Sequence, residues 1–289
     1  MQYRILGKTG LKVSAVGFGG IPIQRIDARG TRALMERLVE KGVNYIDTAR
    51  GYTVSESYLG EALSGGLREK FILATKSMSR GYADMARDIG ISLSNLRTDY
   101  IDLYQLHNIK SDADFELAFS AEGAVAAIQD AIRAGKVGHL GATAHSVDSF
   151  ERLLSYPEIE TIMFPYNIVE SQGEALMERA AAQNVGVIAM KPLAGGNITD
   201  GTLAMRYILQ NKTCTLAIPG MATLEEIEQN TAAAEQDGPL TPEELAACEA
   251  IRAGLSGNFC RRCGYCAPCT VGIDIPGIFT LENYLKHYD

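Results

Sequence analysis

Eight short runs of β-branched and aromatic residues alternate with longer amphipathic stretches along this 289-residue chain. We predict these runs to be strands at residues 13–19, 43–49, 71–77, 101–107, 137–143, 161–167, 185–192 and 215–220. Strands this apolar, separated by helices, are typically parallel and buried on both faces. The pattern therefore predicts an α/β fold, a closed (β/α)8 TIM barrel, with a doubly wound open sheet as the alternative.

The stretches between the strands have apolar residues at helical spacing and often end in Gly or Asn. They predict helices at residues 31–42, 55–66, 121–136, 146–156, 173–184, 201–211 and 223–235. Residues 3–14 predict a hairpin with a Thr-Gly turn that closes the N-terminal face of the barrel, and residues 240–255 predict an added helix. We expect a barrel over residues 1–237, and over 238–289 the added helix with a ferredoxin-like cysteine segment packed on the barrel.

The charge balance argues against large polyanionic partners. The formal net charge is -8 and no basic tract occurs, whereas nucleic acids and anionic membranes are bound chiefly by Lys and Arg clusters. No run of about 18 apolar residues is present, and the N-terminal stretch has no apolar core of a signal peptide. We expect a cytoplasmic protein that acts on a small molecule.

Four polar residues occupy the ends of consecutive predicted strands or the loop that follows: Asp47, Tyr52, Lys76 and His107. In a barrel of parallel strands, such positions line one mouth. A Lys ammonium close to a Tyr hydroxyl stabilises the phenolate and lowers the pKa of the phenol from about 10. Asp47 would keep the Lys charged, and His107 would donate a hydrogen bond to a substrate oxygen.

A structural role explains each of the four residues as well when it is taken alone. Asp47 could cap a turn, Lys76 could pair with a carboxylate, Tyr52 could be a rim aromatic and His107 a core histidine. Their occurrence together on consecutive strand ends favours catalysis. The set is suited to protonating a carbonyl oxygen while hydride arrives at the carbon.

Motifs that contain these residues resemble those of the aldo-keto reductase superfamily. The matching stretches are YIDTARGY, SESYLGEAL, ATKS, DYIDLYQLHN, GKVGHLG, PYN, KPLAGG and IPGMATLEEIEQN, in family order. The resemblance implies a (β/α)8 barrel that binds an extended nicotinamide cofactor, with Asp47, Tyr52, Lys76 and His107 as the catalytic tetrad. Chains of this family that carry a C-terminal cysteine cluster resemble this one most, down to GYCAPC followed by GIDIP.

The resemblance also implies a cofactor site. The residues that it assigns are Gly20, Ile21, Asp47, Thr143, Asn167, Met190, Lys191, Pro192, Leu193, Pro219, Gly220, Met221, Thr223, Glu226 and Asn230. Thr143 and Ala144 stand where the family usually has Ser-Asn, and Met163 stands where it has Gln. The aromatic that often stacks on the nicotinamide is Met190, which is equally explained as barrel core.

Two positions after the eighth strand bear on the choice between NADH and NADPH. Many NADPH-dependent members have Lys and Arg there, and this chain has Gly220 and Glu226. A carboxylate repels a phosphate and accepts hydrogen bonds from a free ribose hydroxyl, so we predict NAD(H) over NADP(H). The alternative is that Glu226 is a solvated residue of a Glu-rich helix.

The tail carries four cysteines three residues apart, Cys260, Cys263, Cys266 and Cys269. The first three reproduce the C-x2-C-x2-C run of [4Fe–4S] ferredoxins, and we predict one such cluster. Structural zinc is the rival, but zinc sites usually separate their two C-x2-C pairs by a dozen or more residues. Cys248 or Cys214 could replace Cys269 as the fourth ligand.

The tetrad alone leaves several functions open. The leading one is reduction of an aldehyde or ketone, or the reverse alcohol oxidation, with Tyr52 as general acid or base. A redox lyase or isomerase that uses bound NAD transiently would need the same residues, and an electron-transfer or redox-sensing subunit is a non-enzymatic alternative. The cluster would either fix the tail over the barrel mouth, which we favour, or relay electrons from a ferredoxin or flavoprotein. The pocket would be built by the loop at 109–123, the AGG turn and the tail.

Overall fold

The N-terminal hairpin is the first element of the computed structural model, which describes residues 1–236, 238–255, 257, 259–260, 266 and 269–287. Strand β1 (Tyr3–Ile5) pairs antiparallel with β2 (Lys12–Ser14). The connection includes a 3-10 turn and ends on Gly10, whose φ of 68° lies in the left-handed region that glycine adopts without strain. The hairpin predicted from the Thr-Gly pair is therefore present.

A sheet of eight parallel strands follows in the described part of the chain. Its strands are β3 (Phe18–Gly19), β4 (Tyr45–Asp47), β5 (Ile72–Ser77), β6 (Ile101–Leu106), β7 (Val137–Thr143), β8 (Thr161–Pro165), β9 (Gly186–Met190) and β10 (Leu216–Ala217). Each strand pairs with the next in chain order, which excludes the doubly wound alternative because its strand order reverses in the middle.

The two ends of the sheet meet. Gly17 N donates to Ala217 O and Gly19 N donates to Pro219 O, both at 2.8 Å, so the segment around β3 is bonded to the segment around β10. The sheet thus curls into the predicted barrel. The predicted first strand, 13–19, is divided, because residues 13–14 belong to β2 of the hairpin, whereas residues 15 and 17 bond to Ala217 and residues 18–19 form β3.

Helices cover the outside of the sheet. In the described residues they are α1 (Ala28–Glu40), α2 (Ser55–Ala62), α3 (Tyr82–Asn95), α4 (Asp112–Ala118), α5 (Ala124–Arg133), α6 (Val147–Leu153), α7 (Glu174–Ala182), α8 (Gly201–Gln210), α9 (Leu224–Ala232), α10 (Pro242–Leu255) and α11 (Ile275–His287). The predicted helices between strands and the added helix are present, and most are shorter than predicted, whereas α1 begins three residues earlier and ends two residues earlier. Helices α3, α4 and α11 were not predicted.

Helix α4 corrects the prediction that residues 109–123 form a pocket loop. Ser111 Oγ accepts from Asp114 N, and the Asp114 carboxylate accepts from Ser111 N in return, which is a capping box that starts a helix. Phe115 is then buried against the rings of Phe119 and Tyr156. This segment is folded against the outer helices and contributes no residue to the cavity at the barrel mouth.

Apolar side chains fill the inside of the barrel below its mouth. The cluster comprises Leu6, Val13, Tyr45, Ala74, Leu103, Met163, Ile188, Leu216 and Ile218. Leu6 comes from the hairpin and lies so close to Gly186 that a Cβ on that glycine would be 2.6 Å from Leu6 Cδ1. Since Gly186 begins β9, the hairpin closes the N-terminal face of the barrel, as predicted.

Helix α10 packs on the outside of the barrel beside α8. Its Cys248 is buried in a cluster with Ile198, Leu203 and Ala204, and Arg206 of α8 donates to Glu244 of α10 at 2.8 Å. None of the described helices is long and apolar enough to cross a membrane. The cytoplasmic location stays a prediction.

Candidate active site

A buried ion pair joins the ends of two neighbouring strands. Asp47 closes β4 and Lys76 lies near the end of β5; the two side chains form a salt bridge and are each only 2% exposed. Lys76 Nζ also donates to Thr48 O at 2.8 Å, and Gln105 Nε2 of β6 donates to Asp47 Oδ1 at 3.0 Å. Both oxygens of the carboxylate are therefore bonded, as a buried charge requires.

Tyr52 lies over this pair. The turn that follows β4 is fixed by a hydrogen bond from Tyr52 N to Ala49 O (3.0 Å), and Lys76 Nζ lies 4.8 Å from the centroid of the Tyr52 ring. Lys76 also hydrogen-bonds to the Tyr52 side chain. The ammonium is thus in direct contact with the phenol, as the sequence predicted.

His107 completes the group from the other side. Its ring stands edge-on to Tyr52, with the centroids 6.0 Å apart and the planes at 88°. The backbone N–H of His107 donates to Ser77 O at 2.9 Å, which continues the pairing of β6 with β5 beyond the last strand residue. The structure therefore brings all four residues of the predicted tetrad together.

Electrostatics keep Lys76 charged and His107 neutral. Burial alone would lower the pKa of Lys76, but the Asp47 carboxylate and the Tyr52 side chain outweigh it and raise the pKa. Burial, the Lys76 ammonium and the Arg80 guanidinium lower the pKa of His107 to about 3. At neutral pH the imidazole is uncharged and keeps one N–H to donate.

A cavity of about 590 Å³ opens above the tetrad at the C-terminal ends of the strands. The predicted site residues on its wall are Gly20, Ile21, Asp47, Tyr52, Lys76, His107, Thr143, Met190, Lys191, Pro192, Leu193, Gly220, Glu226 and Cys260. A volume of several hundred Å³ is typical of cofactor and small-molecule sites.

Five residues assigned to the cofactor do not lie on this wall: Asn167, Pro219, Met221, Thr223 and Asn230. The Asn167 amide donates to Glu170 Oε2 and Lys191 O, both at 2.9 Å, and accepts from the backbone N–H groups of residues 169 and 170. Since all four of its hydrogen-bonding positions are used by its own loop and by the residue after β9, the assignment of Asn167 to the carboxamide is not supported.

The other four have structural roles nearby. Met221 is fully buried in the core, and Pro219 contributes the carbonyl that closes the sheet. Asn230 is buried with its Oδ1 close to Gly201 of α8, where a Cβ would be 2.6 Å away. Thr223 begins α9 by accepting from Glu226 N at 3.2 Å.

Glu226 lies on the wall and also caps a helix. Its Oε2 accepts from Ala222 N at 2.6 Å and from Thr223 N at 3.1 Å, which forms a capping box at the start of α9. The alternative of a merely solvated Glu226 is therefore too simple, because its carboxylate bonds to the two backbone N–H groups that directly precede α9.

Sequence reasoning missed Gln105 and His145. Gln105 orients Asp47, and it is two residues before His107 on the same strand, so the two-residue period of a strand could have placed it inside the barrel. His145 follows β7 and lines the cavity. The only indication of this in the sequence was that His145 is two residues after Thr143, the last residue of β7.

The C-terminal tail forms part of the same cavity. Phe259, Cys260 and the side chains of Phe279, Thr280, Glu282 and Lys286 line it, the last four from α11. The prediction that the tail contributes to the pocket agrees with this arrangement. The AGG turn at Ala194–Gly196 lines it as well.

Three of the four clustered cysteines are described, and Cys263 lies outside the described residues. Cys260, Cys266 and Cys269 are partly exposed, and the backbone N–H groups of Val271, Ile273 and Gly272 lower the pKa of Cys269. Cys214 is buried just before β10, at the opposite end of the barrel, so it does not replace Cys269. The described residues include no group of three His, Cys, Asp or Glu side chains that could hold a metal ion.

Comparisons with known proteins agree with this geometry. The sequence model described as "Aldo/keto reductase family" matches residues 15–202. L-galactose dehydrogenase of Arabidopsis thaliana is 28% identical over 87% of this chain and 94% of its own length, and aldo-keto reductase YhdN of Bacillus subtilis is 26% identical over 73% and 67%. The holo form of aldo-keto reductase AKR11C1 from Bacillus halodurans superposes with a TM-score of 0.76 at 26% identity, over 87% of this chain and 96% of that chain.

Proposed function

The chain belongs to the aldo/keto reductase family, and from this premise we propose that it reduces an aldehyde or ketone to an alcohol with a nicotinamide cofactor. The observation that carries the proposal is the Lys76–Asp47 ion pair, buried beneath the Tyr52 ring at the inner end of the cavity. An ion pair of this kind against a phenol is suited to acid–base chemistry on a substrate oxygen.

Tyr52 is the proposed general acid. It gives its hydroxyl proton to the carbonyl oxygen as hydride reaches the carbonyl carbon, so the product is a neutral alcohol and the Tyr52 oxygen is left with the negative charge. Lys76 stabilises this charge because its ammonium is already in contact with the phenol. Asp47, with one oxygen on Lys76 and the other on Gln105, keeps the ammonium charged and in place.

His107 is proposed to orient the substrate. A neutral imidazole donates a hydrogen bond to the carbonyl oxygen without competing with Tyr52 for the role of acid. Its edge-on contact with the Tyr52 ring keeps the two donors on one side of the cavity. Polarisation of the carbonyl by two donors stabilises the oxygen charge that develops during reduction.

The cavity residues fit a nicotinamide cofactor, which would supply the hydride. The wall runs from the tetrad to Gly220 and Glu226, and it includes the buried Thr143 hydroxyl and the Met163 and Met190 thioethers. The wall combines apolar side chains with many polar and charged ones, which suits a cofactor that has both an aromatic ring and phosphate groups. We propose Gly20, Thr143, Met190 and the segment 191–193 as contacts, with Glu226 at the far end.

Purification under anaerobic conditions followed by a panel of aldehydes and ketones with NADH and NADPH tests this function. We expect oxidation of the reduced cofactor with at least one carbonyl and formation of one alcohol per cofactor oxidised. Turnover of a substrate with no net change in cofactor would instead identify a redox lyase or isomerase.

We further propose that NADH is preferred over NADPH. The Glu226 carboxylate accepts from the backbone N–H groups of Ala222 and Thr223, just before the first residue of α9, so these two donors are not open to a 2′-phosphate. Its charge also repels a phosphate.

The Glu226→Ala substitution tests this preference, with Glu225→Ala as the matched control. Glu225 is the exposed neighbour in the same first turn and does not cap the helix. We expect the ratio of kcat/KM for NADH to that for NADPH to fall about 3- to 10-fold in Glu226→Ala, since one repulsive charge contact contributes about 1 kcal/mol. A parent enzyme that prefers NADPH would contradict the proposal.

For the tail we propose one [4Fe–4S] cluster ligated by Cys260, Cys263, Cys266 and Cys269, in a structural role. The support is the sequence spacing, because the described residues alone form no metal-binding group. No step of the proposed reaction passes through the cluster. A ferredoxin or flavoprotein partner would be required only if the cluster exchanges electrons.

Iron and sulfide analysis after anaerobic purification tests the cluster. We expect a brown protein with absorbance near 400 nm and about four iron atoms per chain. Stoichiometric zinc in a colourless protein would contradict the proposal.

A further inference from the structure

Arg80 is a buried cation next to the tetrad that the proposed reaction does not use. It follows β5 and precedes α3, and its side chain is only 9% exposed. It does not line the cavity. A buried guanidinium needs several partners to offset its lost hydration, and those partners indicate what it does.

The partners of Arg80 are the carbonyls of the residue that carries the catalytic imidazole and of the next one. Arg80 Nη2 donates to His107 O at 2.8 Å and to Asn108 O at 3.1 Å. Asn108 has a φ of 51°, an uncommon backbone conformation for a residue with a side chain. Both bonds come from one nitrogen, and because the guanidinium is planar its two N–H groups point in fixed directions, which those of a rotating ammonium do not.

Arg80 is itself held from two sides. Asp114 of α4 forms an ion pair with its Nε at 3.5 Å. On the other side, Ser79 Oγ donates to Asp88 of α3 at 2.6 Å, and Arg80 O accepts from Ala124 N at 2.7 Å. The arginine therefore connects the loop after β5, helix α4 and the turn after β6.

We propose that Arg80 is a positioning residue, which sets the orientation of the His107 imidazole by fixing the backbone carbonyls of residues 107 and 108. The positive charge of Arg80 also helps to keep His107 neutral, because it lowers the pKa of the imidazole together with burial and the Lys76 charge. The inference rests on the proposed function only in that His107 is taken to act on a carbonyl oxygen.

The test compares Arg80→Met and Arg80→Lys with Arg87→Met. Arg87 is on α3 and pairs with Asp84 at the surface, with side chains 63% and 59% exposed. Arg87→Met therefore makes the same chemical change as Arg80→Met but removes no contact with residues 107 and 108. Two readouts are needed: kcat with the KM values for the carbonyl and for the nicotinamide, and the imidazole signals of ¹⁵N-histidine-labelled protein over pH 4–8. The chain has only 4 histidines, and a His107→Gln variant assigns the signal.

We expect Arg80→Met to lower kcat about 10- to 100-fold, with KM for the nicotinamide changed less than about 3-fold, because a misplaced donor weakens only the chemical step. The His107 signals should shift, and their titration should move upward into the measured pH range. Arg80→Lys should keep His107 neutral but still lower kcat, since it retains the charge and loses the planar fork.

A purely structural role for Arg80 gives a different result. Thermal stability would then fall while kcat per folded molecule and the His107 signals stayed as in Arg87→Met, which overturns the proposal. If Arg80→Met does not fold, Arg80→Lys decides by the same two readouts. If no carbonyl is reduced, the proposed function fails, and the imidazole signals still decide whether Arg80 positions His107.

Discussion

The barrel mouth and the cysteine tail both present groups of reactive side chains, but they are constructed differently. The tetrad residues come from neighbouring strands whose register is fixed by hydrogen bonds, and Asp47 and Lys76 are almost completely buried. The described cysteines, Cys260, Cys266 and Cys269, are partly exposed and lie outside helices and strands. Sheet pairing thus preorganises the first group, whereas the thiolates of the second would be brought together by the cluster that we propose.

The largest effect is expected from removing the proposed acid. Tyr52→Phe should lower kcat/KM for carbonyl reduction about 10²- to 10⁴-fold, because the proton donor is lost while the cavity keeps its shape. Tyr82→Phe is the control, since it removes a surface hydrogen bond to Asp130 far from the cavity. Equal activities of the two variants would contradict a catalytic barrel mouth. The measurement is initial-rate kinetics with the reduced cofactor saturating.

The buried ion pair should matter for stability far more than a surface pair. Asp47→Asn leaves the Lys76 ammonium buried without its carboxylate and should lower the free energy of unfolding by about 3–5 kcal/mol. Glu36→Gln breaks an exposed pair with Arg32 and should cost less than about 1 kcal/mol. Urea unfolding followed by circular dichroism measures both. A loss in Asp47→Asn no larger than in Glu36→Gln would mean that the pair is not buried in solution.

His107 should make the barrel less stable in acid. Its folded pKa of about 3 lies below the unfolded value near 6.5, so between these values the unfolded chain binds the extra proton. Stability is therefore retained above pH 6.5 and is lost as pH falls below it, by up to about 1.4 kcal/mol per pH unit. His107→Gln should flatten this dependence between pH 6.5 and 4.5 in urea titrations. Parallel curves for the two proteins would exclude a neutral buried imidazole.

The smallest effect on turnover is expected in the tail. Cys266→Ser should abolish iron binding, yet change kcat by less than about 3-fold, because hydride transfer to a carbonyl needs no metal. We expect KM for the substrate to rise, because Phe279 of α11 lines the cavity and α11 directly follows the cysteine segment in the chain. Cys248→Ser is the control, as Cys248 is buried beside α8. If Cys266→Ser lowered kcat as much as Tyr52→Phe does, the tail would take part in the chemical step, which contradicts the proposed structural role.

The strands and the tetrad could be predicted from the sequence because both follow local patterns. Each barrel strand is an apolar run bounded by polar residues, and Asp47, Lys76 and His107 fall at the ends of such runs. The first strand was misjudged because residues 13–19 form one apolar run that the structure divides between two sheets. A run of apolar residues does not indicate which partner strand it pairs with.

The cofactor assignments depend on tertiary neighbours, which the sequence does not show. Asn167 could have pointed into the cavity from its position after β8, but Glu170 and the Lys191 carbonyl hold its amide in the loop. Helix α4 was missed because Ser111 and Asp114 form a capping box within a stretch that is polar enough to be a loop. Arg80 had no signal in the sequence, because its partners are backbone carbonyls 27 and 28 residues away.

The register of β5 also determines which deletions the chain tolerates. Lys76 is opposite Gln105, and Asp47 is opposite Ala74, so the ammonium reaches the carboxylate only while β5 keeps this alignment. Deleting one residue near the start of β5 would turn its side chains to the other face of the sheet and bring Lys76 against the outer helices. The shortened chain would still contain Asp47, Tyr52, Lys76 and His107, but Lys76 would no longer reach Asp47. The register of this six-residue strand is thus as strict a requirement for the site as the identity of any side chain in it.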